Sequence, residues 1–164
     1  MTSFYANINT MEIKFELIMV LKLFVAFAFG VFIGFDREKQ GKDAGIRTYA
    51  AICFGATLFT AIADEFNDIA SASRVIANIV IGIGFLGAGI ISKNDTSDNT
   101  HGLTTAATVW CTAAVGVAVG LDMFIIATVA SIMLYFLLSL ERQRWYIRWR
   151  NKIKSEKEEE SKSV

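Results

Sequence analysis

Asp36 and Glu38 stand either side of Arg37, with Arg47 soon after, and these four are the charged groups best placed to do chemistry in this chain. Carboxylates are hard oxygen donors, and Mg²⁺ keeps most of its waters, so Asp36 and Glu38 could hold the hydrated ion between them. Arg37 and Arg47 could instead pair with those acids or bind an anion. A plainer use is topological, since charges at the end of an apolar helix fix its orientation. Thr48, Thr104 and Thr105 add hydroxyls to the same motif segments, and Thr104 and Thr105 could cap a helix start. His101 lies in a connection with one Lys and two Asp residues, a weak metal signal. No Asp or Glu lies midway along any apolar run, so a proton relay or dehydrated cation cage lacks its usual ligand. No nucleophile–base pairing or zinc-spaced set appears; the expectation is neither an enzyme nor a nucleic-acid binder.

The glycines carry a different signal. Gly82-Ile83-Gly84-Phe85-Leu86-Gly87-Ala88-Gly89 matches the dinucleotide fingerprint letter for letter, but inside an apolar run and not at a strand-to-helix turn. The dinucleotide reading fails on that context. Gly82, Gly84, Gly87 and Gly89, with Gly34 and Gly102, read as places where helices approach closely or hinge. Gly30 with Gly34, and Gly116 with Gly120, have the same spacing. Thr104, Thr108 and Thr112 share one helix face, where they bond back to their own carbonyls or line a hydrophilic path. Asn78 is expected to be buried and to bond to a neighbouring helix.

These residues need elements to position them, and the composition says which. The chain has 164 residues, 54% of them hydrophobic, and a mean hydropathy of +0.45; its charges cluster in short blocks between uncharged stretches. About 20 apolar residues cross a bilayer as a helix, and roughly 17 suffice where the bilayer adapts. Five stretches fit, at 17–35, 48–63, 75–92, 103–120 and 121–140, the second being the shortest. Four spans with one re-entrant segment is the alternative. The fold class is therefore all-α, a polytopic membrane protein of about five transmembrane helices. Cys53 and Cys111 lie inside apolar runs and read as small hydrophobes.

Orientation follows from Lys and Arg. Arg37, Lys39, Lys42 and Arg47 occupy the first connection, and eight more basic residues follow residue 140. The second connection is acidic, with Asp64, Glu65 and Asp68, and the fourth holds only Asp122. Five spans place the basic regions in the cytoplasm, with the N-terminus outside. Lys22, near the outer end of the first helix, is expected to reach the headgroups. The chain divides into an extracytoplasmic segment 1–16, a transmembrane domain 17–140, and a juxtamembrane segment and tail 141–164. Trp145, Tyr146 and Trp149 are expected to anchor at the interface, and 155–164 to be disordered. Alternation brings all three motif segments to the cytoplasmic ends of the first four helices.

In that order and with that spacing, the motifs resemble the MgtC/SapB family of bacterial inner-membrane proteins. The residues that carry the resemblance are Gly34-Phe35-Asp36-Arg37-Glu38, Gly45-Ile46-Arg47-Thr48, the glycine run from Gly82 to Gly89, and Gly102-Leu103-Thr104-Thr105-Ala106-Ala107-Thr108-Val109-Trp110. The family usually has Glu where Asp36 stands. The resemblance implies an inner-membrane protein tied to magnesium homeostasis, either a Mg²⁺ transporter or an accessory protein. One branch of the family is associated with virulence and with inhibition of the F-type ATP synthase, which suggests a non-transporting regulator as the alternative. Longer members carry a cytoplasmic α/β domain after the helices, and the expectation is of a short form without it. The partners expected are the lipid bilayer, a second copy in a homodimer, and another membrane protein.

Overall fold

A computed structural model describes residues 2–66, 68–93, 100–143, 146, 148–149 and 152–153. Its framework is five α-helices: α1 (Thr2–Lys39), α2 (Ile46–Asp64), α3 (Ile69–Ile90), α4 (Leu103–Gly120) and α5 (Phe124–Ser139). A 3₁₀ turn, Leu140–Arg142, follows α5. Between α3 and α4, Ser92–Lys93 pairs antiparallel with Thr100–His101. The Ile13–Lys39 part of α1 and the whole of α2, α3 and α4 are long and apolar enough to cross a membrane; α5 is equally apolar but only 16 residues long. The fifth helix, not the second, is the shortest.

The reason lies in how the helices stop. After α1 the Lys42 N–H bonds to the Arg37 carbonyl (3.2 Å) and the Gly41 N–H to that of Glu38 (3.0 Å), with Gly41 at φ +63. That is a Schellman stop, in which a left-handed residue turns the chain away and satisfies the last carbonyls. After α4 the same pattern recurs: the Met123 N–H bonds to the Ala118 carbonyl (2.8 Å) and the Asp122 N–H to that of Val119 (3.1 Å). Here the left-handed position, φ 59, is held by Asp122. This stop uses residues 121–123, so α5 begins later than the apolar run suggests. At the other extreme α1 begins at Thr2, well before residue 17. α3 also gains a turn at its start, because the Asp68 carboxylate accepts from the Ala70 and Ser71 N–H groups (3.2 and 3.1 Å) and caps it. Those bonds, with the Ser71 hydroxyl foremost, hold the Asp68 carboxyl below the usual carboxylate range.

α4 is the hub of the bundle, packed by α1, α2, α3 and α5, while α3 sits outermost, chiefly against α2 and α4. Two clusters make the core. Ile33, Tyr49, Val109, Leu134 and Leu138 fill one end, and Ala26, Cys53, Val115, Val119 and Ala127 the other. Small residues set the spacing of α2 and α4: a Cβ on Gly116 would run into the Cys53 carbonyl, and one on Gly120 would meet Thr60 at 2.7 Å. α3 is the exception to this packing. Gly87 is its only buried residue among those described. The tail 155–164 and Trp145 lie outside the described residues.

Candidate functional site

The last turns of α1 gather the charged residues that sequence reasoning singled out. Consecutive helical residues point about 100° apart, so Asp36 and Arg37 face different neighbours, and α1 is flanked closely enough to bury both, at 1% and 2% exposure. Asp36 turns toward the end of α5. Its Oδ1 is 2.8 Å from Nη2 of Arg142 in the 3₁₀ turn, and its Oδ2 accepts from Gln40 Nε2 at 2.6 Å. Arg37 turns toward α4 and donates from Nη2 to Thr105 Oγ1 at 2.6 Å; its guanidinium also lies beside the Tyr49 phenol. A buried charge costs several kcal/mol to desolvate, and each of these two meets a partner from another element.

Glu38 is exposed and does something else. The N-cap of α2, Gly45, has no side chain to offer, and Glu38 reaches across from α1 to accept the Ile46 N–H at 2.9 Å. A carboxylate there also complements the positive end of the helix dipole. A Cβ on Gly45 would occupy the place of the Glu38 carboxylate, and one on Gly34 would meet the Ile46 Cα at 2.7 Å. Glycine at both positions is what lets α1 and the start of α2 touch. Gly102 serves at the start of α4, where it is left-handed (φ +87) and close to the Ile90 carbonyl.

From this knot a buried line of hydroxyls runs down the α2–α4 contact. Tyr49 and Thr108 hydroxyls are 2.6 Å apart. Thr108 has one proton and its own helix carbonyls, Thr104 and Thr105, within 2.9 and 3.0 Å; Tyr49 is thus the donor in the pair. Thr112 bonds back to the Thr108 carbonyl (2.8 Å), and Thr57 reaches across to that of Gly116 (2.7 Å). At the far end Lys22, 6% exposed, donates to the Gly120 carbonyl (3.1 Å) and to Asp122 Oδ2 (2.8 Å). The expectation that Lys22 reaches the headgroups is corrected: it is drawn inward because the last α4 carbonyls and Asp122 lie within its reach.

Of the predicted residues, Arg37 and Thr105 are brought into contact, while Asp36 turns to Arg142 and Glu38 to the start of α2. Thr48 is half-buried, Thr104 and Arg47 are exposed, and Arg47 makes no ion pair with Asp36 or Glu38 among the described residues. Asn78 departs from its expected burial. It is exposed, because α3 lies at the edge of the bundle, and its amide has no hydrogen-bond partner among the described residues. Gly87 approaches Ala106 of α4, whereas Gly82, Gly84 and Gly89 face open space. Sequence reasoning missed Gln40, Arg142, Tyr49 and Lys22 as parts of these contacts. Gln40 had a signal, its spacing of four from Asp36, and so did Tyr49, a phenol that needs a partner when buried. Arg142 had none beyond being one tail arginine among several.

Comparison with known proteins places this arrangement. The family model described as the MgtC family matches residues 23–144. A relative named Protein MgtC from Brucella abortus (strain 2308) is 44% identical over 117 residues, covering 71% of this chain and 48% of its own. Protein MgtC of Salmonella typhimurium (strain LT2) is 41% identical over 115 residues, 70% of this chain and 48% of its own. An uncharacterised protein from Synechocystis is 41% identical over 114 residues, with the same coverage. The chain thus spans about half the length of the curated relatives it matches. No solved structure matches.

Proposed function

This chain belongs to the MgtC family, and from that premise we propose that it is an accessory protein of the bacterial inner membrane, linked to magnesium homeostasis, that acts on another membrane protein and does not itself carry the ion. One observation supports this most. Both acids that could have held Mg²⁺ are engaged within the chain, Asp36 by Arg142 and Gln40, and Glu38 by the Ile46 N–H. Mg²⁺ demands several oxygens in near-octahedral order, and a carboxylate 1% exposed against a guanidinium offers a hydrated ion little approach. Among the described residues no group of three or more His, Cys, Asp or Glu side chains could hold a metal. The residues present do not fit a resident Mg²⁺, and they do fit a knot that fixes helix ends.

The charge pattern orients this reading. The knot's end of the bundle carries Arg37, Lys39 and Arg47, and the opposite end Asp64, Glu65 and Asp68, so the positive-inside rule sets the knot and the C-terminal segment in the cytoplasm. The partner belongs among membrane complexes, with the F-type ATP synthase suggested by the family resemblance as the first to try. Purified protein in liposomes should pass no more Mg²⁺ than empty vesicles, while crosslinking in native membranes should recover a partner in fixed stoichiometry. Mg²⁺ flux that disappears in Asp36→Asn would overturn the proposal in favour of transport.

A further inference from the structure

Along α3 a stripe at Ala72, Val75, Ile76, Ile79, Ile83, Gly87 and Ile90 is at least partly buried, and from Ile76 onward the residues between these positions are exposed. Between α3 and α2 lies a groove of about 480 Å³. Gly55 and Ala51 form part of its α2 wall; Asn78, Gly82 and Leu86 stand on its α3 wall. A Cβ placed on Gly55 or on Gly82 would meet nothing within 4 Å. The groove is therefore wide enough at its glycines for another backbone to come close, and nothing among the described residues enters it there.

The amide of Asn78 says more than the shape does. It stands one turn above Gly82, beside the groove, with no hydrogen-bond partner among the described residues. Inside a bilayer no water supplies the missing bonds, and an unmade hydrogen bond of this kind costs several kcal/mol in hydrocarbon. An acyl chain could fill the groove but could not satisfy the amide. A carboxamide is donor and acceptor at once, so its simplest complement is another carboxamide, and a two-fold axis places the same residue of a second copy opposite it. The nearest charge does not oppose this. Arg74, one turn earlier, is turned back to the loop, with Nη2 2.8 Å from Ser71 Oγ and 4.0 Å from Asp68 Oδ2.

We propose that the α2–α3 groove is a self-association surface, in which α3 of a second copy lies over Gly55 and Gly82 and the two Asn78 amides bond across a two-fold axis along the membrane normal. This does not depend on whether the protein is an accessory or a carrier. It is tested with the full chain in liposomes, on a background in which Cys53 and Cys111 are replaced by Ala. Under mild oxidation Asn78→Cys should give a disulfide-linked dimer, while Ile132→Cys, on an exposed face of α5, should not. Energy transfer between labelled copies should persist on dilution into lipid for the parent. In Asn78→Val it should fall as expected for about tenfold weaker association, and in Gly82→Leu it should be lost. Both substitutions point into open space, so helix content and melting of the monomer should stay at parental values and report correct folding. Equal crosslinking of the Asn78→Cys and Ile132→Cys variants would overturn the proposal. So would energy transfer unchanged in Gly82→Leu, no association in the parent, or Asn78→Cys linking only to a different protein in native membranes.

Discussion

Asp36 is a carboxylate shut inside the bundle end, and it is ion-paired with Arg142, which is itself half-exposed. Removing the arginine leaves the charge buried with only Gln40 to bond to it. Removing the charge leaves an arginine that can turn to solvent. The two losses are therefore unequal. Arg142→Gln should cost about 1–3 kcal/mol, below the full penalty for breaking a buried pair because one partner is near water. Asp36→Asn should cost about 1 kcal/mol, and the double variant should be more stable than Arg142→Gln alone. Thermal unfolding in detergent would show the order; a double variant as weak as the sum of the singles would refute the coupling. The chemistry of Asp36, Arg37 and Glu38 was legible as a set, from type and spacing. Their partners were not, because a pairing between the ends of α1 and α5 depends on how helices cross, which no local pattern carries. Asn78 shows the same limit from the other side: an amide in an apolar run signals a partner, and only the packing tells that none lies among the described residues.

Helices stop here by backbone geometry as much as by charge. The Gly41 stop suits its residue, while the Asp122 stop holds an L-residue in a left-handed backbone conformation that costs roughly 1–2 kcal/mol. The bond from Lys22 to Asp122 gives that conformation a reason to persist. A tight turn between α4 and α5 follows from two apolar runs that abut at 120–121, but its length does not, which is why α5 is shorter than its apolar run. Contact between elements divides the glycines into two kinds that spacing alone does not separate. Gly116 sits where α2 and α4 touch, so Gly116→Ala must push them apart and should cost about 1–3 kcal/mol. Gly84 faces open space away from the groove, and Gly84→Ala should leave stability unchanged or raise it by up to about 1 kcal/mol through helix propensity. Melting curves of the two variants should move apart; equal losses would mean that α3 is packed as tightly as α4.

Across the whole molecule, two ionic contacts tie α1 to the far ends of its neighbours, Lys22 with Asp122 and Asp36 with Arg142. The helical rise from Lys22 to Asp36 is about 21 Å, against roughly 30 Å of hydrocarbon in an ordinary bilayer. The two buried ionic contacts are thus closer together along α1 than an ordinary bilayer's hydrocarbon is thick, so matching them to its edges would thin the lipid. Reconstituted protein should melt higher in short-chain than in long-chain phosphatidylcholine, and a reversed order would mean that tilt absorbs the mismatch. A pair of charged contacts spaced this way also acts mechanically on its surroundings. Were the leaflets drawn inward to match this spacing, each copy would store elastic energy in a strained rim of lipid, and two neighbouring copies would share part of that rim. The same tension would gather the protein wherever a membrane is already thin.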